Sequence, residues 1–278
     1  MANFLYTYSR RENPVASGQT GMFQHIVTIA KNAFREAVRD RILYNLILFV
    51  LLITIAAVLL GDLTAGQESH VIVNLGLSAI LIFGVFIAIF VGVSLVWKEI
   101  EKRTVYSIFS KPIGRGEFII GKYLGLCATL FVNVLVMGSG LSLALLYVGG
   151  RALIVGVWAA VLLIFLELTI ITAVAIMFSS FSTPALSALL TFMVFVIGHF
   201  SSSLRELATA LGSQITTIVF NVVYYLLPNL SNFSFIANTA NGQIAPPAML
   251  AAAFAYALLF DAIFIAITVI IFSRRNFK

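Results

Sequence analysis

The sequence predicts an all-α integral membrane protein. Hydrophobic residues make up 61% of the 278 residues and charged residues only 10%, whereas a soluble domain carries roughly 25% charged and about 45–50% apolar residues. Long stretches without charge each accommodate the roughly 20 apolar residues that a helix needs to cross a bilayer. The alternating segments of a membrane β-barrel are missing, and an open sheet would leave backbone groups unpaired in lipid. Nucleic-acid binding is excluded by the same composition, despite a net charge of +6.

The charged residues divide the chain into six predicted transmembrane helices. Three charge-free stretches mark the spans of the first half, and three nearly charge-free stretches mark those of the second. Within the predicted spans the only charged residues are Glu167 in the fourth and Asp261 in the sixth. The predicted spans are 42–60, 71–96, 123–148, 154–178, 184–204 and 248–272.

The distribution of Lys and Arg places both termini in the cytoplasm. With this orientation the cytoplasmic segments hold 15 of the 17 Lys and Arg residues, and only Arg151 and Arg205 fall outside, as the positive-inside rule requires. The uncharged stretch 207–233 is rich in Ser, Thr and Asn. We predict that it forms a connector that dips into the membrane between the fifth and sixth spans, packed against protein. A seventh crossing is the alternative, and it would put the carboxyl-terminal basic residues on the wrong side.

The amino-terminal residues divide into two parts. Residues 1–21 mix basic residues with Pro and Gly and predict a flexible cytoplasmic extension. In residues 22–41 apolar residues recur at helical spacing, and Lys31, Arg35 and Arg39 form a basic stripe. This pattern predicts an amphipathic helix in the inner membrane interface, with its basic face toward anionic lipid headgroups. An amphipathic lead-in to the first span is the alternative, and both descriptions can apply to one helix.

The loop between the second and third spans, Lys98–Lys122, predicts a helix, a break and a second helix. Glu99 and Arg103 form a favourable i, i+4 pair. Pro112 cannot continue a helix, and a new helix is expected to begin near Glu117. Such a charged elbow suits the docking of a soluble partner. An ordinary loop that its positive charge keeps inside is the alternative.

The chain resembles the type-two ATP-binding-cassette (ABC) exporter permeases. Six spans, an amphipathic helix before the first of them and a membrane-dipping connector before the last match that family. The motifs that carry the resemblance are Arg103-Thr104, Lys111-Pro112-x-x-Arg115, Gly121-Lys122 and Leu227-Pro228-Asn229. The resemblance implies that residues 22–278 form one permease domain.

In that family the loop forms a coupling helix that receives the motion of a separate ATPase subunit. The resemblance therefore implies that Glu99, Glu101, Arg103 and Thr104 lie on the transmission surface. It also implies that the return of the loop to the membrane is shaped by Pro112, Arg115, Gly121 and Lys122.

The two acids inside the predicted spans have two interpretations. An ionised acid at mid-bilayer costs roughly 2.5–3.5 kcal/mol on insertion scales, so such residues face protein or a wet cavity. In the functional interpretation Glu167 and Asp261 line the translocation route, and Glu167→Gln impairs transport without loss of assembly. In the structural interpretation Glu167 is protonated or bonds to Thr169 or Thr172, while Asp261 bonds to Tyr256 or to a neighbouring helix.

We predict no catalytic, cofactor or metal site in this chain. Residues 116–122 fit G-x-x-x-x-G-K, but Tyr123 stands where a phosphate-binding loop has Ser or Thr. The His residues lie at different depths, and Cys127 is the sole cysteine. No soluble stretch is long enough for an ATPase domain, so ATP and Mg²⁺ are expected on a partner subunit.

The predicted function is that of an ABC exporter permease in the bacterial inner membrane. The resemblance implies an ABC ATPase partner and a second permease subunit, by default a second copy of this chain. Membrane lipids are the other expected partners. The alternatives are an ATP-driven complex that transmits force to an extracytoplasmic partner, and an ion-coupled carrier that uses Glu167 and Asp261.

Overall fold

The computed structural model describes residues 14–39, 67–101, 114–201 and 227–274, together with Leu48, Phe49, Leu52 and Ile55. The regular structure in these segments is helical, which confirms the all-α prediction. The helices are α1 (Pro14–Arg39), α2 (Glu68–Glu101), α3 (Arg115–Val148), α4 (Ile154–Ser179), α5 (Pro184–His199), α6 (Ile236–Ala240) and α7 (Pro247–Arg274), with 3-10 turns at Arg151–Leu153 and Leu230–Phe233.

Helices α2, α3, α4 and α7 are long and apolar enough to cross a membrane. They correspond to the predicted spans 71–96, 123–148, 154–178 and 248–272. Helix α5 has 16 residues, which is about 24 Å at 1.5 Å per residue and short of a full crossing. The predicted first span, 42–60, lies outside the described residues except at four positions, which are helical.

Helix α1 begins earlier than the sequence predicted. The helix includes 14–21, which the sequence pattern assigns to the flexible extension; residues 1–13 lie outside the described part of the chain. Pro14 occupies the first helical position, where its missing N–H costs nothing. Gly18 and Gly21 do not interrupt the helix, because each glycine costs only about 1 kcal/mol in a helix interior.

Helix α4 lies at the centre of the described bundle. Its buried residues point in every direction around the helix axis, and α2, α3, α5 and α7 all pack against it. Two glycines of α2 permit close packing, because a Cβ at Gly76 would meet Leu141 and one at Gly84 would meet Leu168.

The helix ends gather at two opposite ends of the bundle. We call one the loop end, where α2 ends, α3 begins, and α4 and α7 end. At the opposite, connector end, His70 Nδ1 hydrogen-bonds with the backbone oxygen of Ala240, and Gly156 lies close to the oxygen of Gln243. The described residues on both flanks of the predicted coupling loop and the end of the last helix therefore lie at the same end of the bundle.

Candidate functional site

The predicted coupling residues fall at the loop end, where the structure describes only some of them. Glu99 and Glu101 belong to the last turn of α2, as the predicted helix before the break requires. Arg103, Thr104 and Pro112 lie outside the described residues. The second helix of the elbow begins at Arg115, two residues before the predicted Glu117.

Helix α1 packs directly on the first turns of α3. A Cβ at Gly121 would lie 2.7 Å from Ile29 Cβ, and one at Gly125 would lie 2.5 Å from the backbone oxygen of Ala30. Glycine is thus required at both positions for the two backbones to approach so closely. Helix α1 of the same chain packs against the Gly121-x-x-x-Gly125 face. Gly121 also belongs to one of the motifs that carry the family resemblance.

Two ionic contacts flank this apolar contact. His25 Nδ1 lies 3.1 Å from Glu117 Oε2, and Lys122 Nζ lies 3.6 Å from Glu36 Oε2. The side chain of Lys122 is only 5% exposed, so its charge is compensated inside the protein rather than offered to a partner. Lys122 thereby fixes the start of α3 against α1.

Arg115 joins the start of α3 to the end of α7. Its Nη1 atom donates hydrogen bonds to the backbone oxygens of Phe272 at 3.1 Å and of Ser273 at 2.6 Å. The last carbonyls of a helix have no partner within the helix and carry its negative dipole end. The Arg115 guanidinium therefore caps α7 from a position 157 residues away in the sequence. The rings of Phe118 and Phe272 stack beside it, 5.9 Å between centroids.

The opposite face of α1 is open. Lys31 and Arg35 are exposed, and beside them Phe23 is 70% and Val27 47% exposed. An apolar stripe next to a basic stripe is the composition expected of an interfacial helix. The side chain of Arg39 lies outside the described residues.

Glu167 has a partner that the sequence analysis did not identify. Its Oε1 atom lies 3.1 Å from Nδ1 of His199, at the end of α5, and Glu167 is only 1% exposed. The hydroxyls of Thr169 and Thr172 instead donate to backbone oxygens of their own helix. The predicted threonine partners were wrong, because residues two and five apart on a helix do not face each other.

Asp261 lies where α3, α4 and α7 meet. Its carboxyl group lies close to the side chains of Tyr123 and Thr169, and its Oδ1 atom is buried without a hydrogen-bond partner. The predicted partner Tyr256 lies five residues away on the same helix, and its hydroxyl accepts a hydrogen bond from the Asn229 N–H at 2.7 Å. A neighbouring helix, the other option considered, supplies the contacts of Asp261.

Asn229 joins α5, the connector and α7. Its Oδ1 atom accepts hydrogen bonds from the hydroxyls of Ser201 and Ser231, both at 2.5 Å. Beside it, Gly198 lies against the backbone oxygen of Pro228, which a Cβ would approach to 2.7 Å. The Leu227-Pro228-Asn229 motif therefore fixes the connector to the end of α5 and to Tyr256, well inside α7.

We expect Asn229→Ala to loosen the connector. The substitution leaves the two serine hydroxyls without their common acceptor, at a cost of about 1–3 kcal/mol for buried groups. The measurement is the thermal midpoint of the purified protein together with the rate of proteolysis in 227–246. Asn238→Ala is the matched control, since its side chain bonds to Gln243 on the surface. Equal midpoints for the two variants would contradict a structural role of Asn229.

The described residues contain no group of three His, Cys, Asp or Glu side chains placed to hold a metal ion. His25, His70 and His199 each contact a different partner. The described His25 and His199 side chains each contact a Glu side chain of another helix.

Sequence reasoning missed His199 as the partner of Glu167, and Tyr123 as the neighbour of Asp261. One signal for His199 was available, because it is the sole ionisable residue in the predicted span 184–204. Asn133 was also missed. It is buried in α3, and its Oδ1 atom has no hydrogen-bond partner.

Comparison with known proteins shows a family and a curated relative that this chain resembles. Residues 27–277 match the model of a family described as ABC-2 family transporter protein. The probable ABC transporter permease protein NosY of Pseudomonas aeruginosa is 28% identical over 140 residues, which are 49% of this chain and 49% of that protein. The aligned part spans about half the length of this curated relative.

Proposed function

Because the chain belongs to the ABC-2 transporter family over residues 27–277, we propose that it is the permease subunit of an ATP-driven exporter. Membership makes it a multi-pass membrane subunit of an ABC transporter and implies an ABC ATPase partner in general. The direction of transport and the coupling to ATP hydrolysis are our proposal.

The observation that carries the proposal is the contact pattern around the start of α3. The loop 102–113 connects α2 to α3, and the first turns of α3 are held by α1 through Gly121 and Gly125. They are held by α7 through Arg115. A force on this loop therefore reaches three helices at once, which suits a loop that receives motion from an ATPase.

We propose that both termini lie in the cytoplasm and that the membrane is the bacterial inner membrane. The open face of α1, with Lys31 and Arg35 beside Phe23, then lies against inner-leaflet lipid, and Arg39 continues the basic stripe.

ATP and Mg²⁺ bind the ATPase subunits. Two copies of this chain form the complete permease, since six proposed spans are half of the twelve typical of such exporters.

Asp261 is the better candidate of the two acids for the translocation route. Glu167 is compensated by His199, whereas one oxygen of Asp261 has no hydrogen-bond partner.

The connector reaches Tyr256, nine residues into α7 and thus about 14 Å along it at 1.5 Å per residue. This depth supports a connector that dips into the membrane before the last span.

The proposal is tested by purifying the tagged chain from its native membrane in mild detergent and assaying ATP hydrolysis. We expect a co-purifying ABC ATPase in a ratio of one ATPase to one permease chain. We expect Glu99→Ala with Arg103→Ala to weaken that association about tenfold or to uncouple hydrolysis, as the loss of central interface residues does.

The matched control is Asp62→Ala with Arg151→Ala, which also removes one acid and one base but on the predicted opposite side. This pair should leave the association unchanged. If no ATPase co-purifies under conditions that preserve membrane complexes, the exporter proposal fails. A gradient-driven activity without an ATPase would then favour the ion-coupled carrier.

A further inference from the structure

We propose that Arg115 is a positioning residue that transmits movement of the 102–113 loop to the last transmembrane helix. This inference rests on the proposed coupling of the loop to an ATPase. Gly114 directly follows the loop and Arg115 opens α3, so Arg115 is the first helical residue that a displaced loop would carry with it.

Helix α7 packs against the described part of the bundle along one face only. Its buried residues recur at helical spacing on one face, while large apolar residues such as Phe254, Leu258 and Ile270 are exposed on the others. Such a helix can tilt or slide as a unit. The position of its loop end then depends on the residues that contact its last turn.

The last turn of α7 is held by the start of α3. Both hydrogen bonds from Arg115 end on backbone oxygens, those of Phe272 and Ser273. They therefore act on the position of the helix itself and not on a flexible side chain. The stacked rings of Phe118 and Phe272 fill the space beside them, and Phe272 is fully buried.

The same turns of α3 hold α1, through different residues. The ionic and closest backbone contacts to α1 run through Glu117, Gly121, Lys122 and Gly125, whereas the last turn of α7 is contacted by Arg115 and Phe118. Removal of the Arg115 guanidinium should therefore separate the last turn of α7 from the movement while α1 remains attached. This separation distinguishes a transmitting role from a general loss of structure.

The test is hydrogen–deuterium exchange of the purified permease–ATPase complex, with and without ATP and vanadate. In the natural sequence we expect a nucleotide-dependent change in 115–122, in 24–36 and in 266–274. In Arg115→Met the change in 266–274 should disappear, while those in 115–122 and 24–36 persist. Basal exchange of the last turn of α7 should also rise about tenfold, as expected for the loss of charge-assisted hydrogen bonds.

Arg115→Lys should restore part of the change in 266–274, because a lysine can donate to one of the two carbonyls. Arg151→Met, which removes an exposed arginine at the opposite end, is the control and should behave as the natural sequence. If Arg115→Met does not assemble, Phe118→Leu weakens the same contact and should reduce the change in 266–274 selectively.

A persistent nucleotide-dependent change in 266–274 of Arg115→Met, or of Phe118→Leu where that variant replaces it, would overturn the inference and leave the proposed function intact. Absence of any nucleotide-dependent change in 115–122 of the natural sequence would contradict the proposed coupling through the loop, and the role of Arg115 would fall with it.

Discussion

Gly125→Ala is expected to destabilise the protein by about 1–3 kcal/mol, the usual cost of overpacking. The added Cβ would lie 2.5 Å from the backbone oxygen of Ala30 and 2.7 Å from Ala33 Cβ. A backbone oxygen cannot rotate away, so α1 as a whole must move off α3. The measurement is the thermal midpoint in detergent, together with the rate of tryptic cleavage after Lys31 and Arg35.

Gly140→Ala is the matched control on the same helix. There the nearest neighbour of an added Cβ is Phe49 Cε1 at 3.9 Å, an ordinary contact distance. Because alanine favours the helix over glycine by about 1 kcal/mol, this variant should be as stable as the natural sequence or more so. Equal stability of the two variants would show that α1 does not depend on the close approach at Gly125.

The sequence predicted the four described helices of membrane-crossing length because charge is excluded from hydrocarbon and therefore marks their limits. The ends of these helices needed a second signal, the charged residues and Pro112 of the loop, because hydropathy marks the membrane and not the helix. Helix α2 continues to Glu101 and α3 starts at Arg115, both beyond the predicted spans. Charged residues outside the hydrocarbon core do not stop a helix.

The contacts of the candidate site could not be predicted in the same way. Arg115 and Ser273 are 158 residues apart, and Glu167 and His199 lie on different helices. Periodicity places a residue on a face of its own helix but does not say which residue of another helix lies opposite. The prediction that Asp261 bonds to Tyr256 was wrong, and helical geometry was enough to exclude it, because residues five apart point to different sides of a helix.

The second large effect concerns the pair of Glu167 and His199. His199→Leu leaves Glu167, which is 1% exposed, buried without its partner. Breaking a buried pair in this way costs about 3–5 kcal/mol. Glu167→Leu should cost less, because the His199 side chain is 21% exposed and a neutral imidazole left without its partner costs less than a buried carboxylate. The double variant should regain much of the loss, because apolar replacement of both partners is often neutral.

The measurement is a double-mutant cycle on the free energy of unfolding in detergent. A coupling energy within the range of about 0.5–3 kcal/mol is expected for two residues in direct contact. Additive effects would show that the 3.1 Å contact contributes nothing to stability. ATP hydrolysis by the complex then separates the two interpretations of Glu167. If the double variant is stable and its complex still hydrolyses ATP, Glu167 serves the packing of α5 on α4. If the double variant is stable but its complex does not hydrolyse ATP, Glu167 belongs to the translocation route beside Asp261.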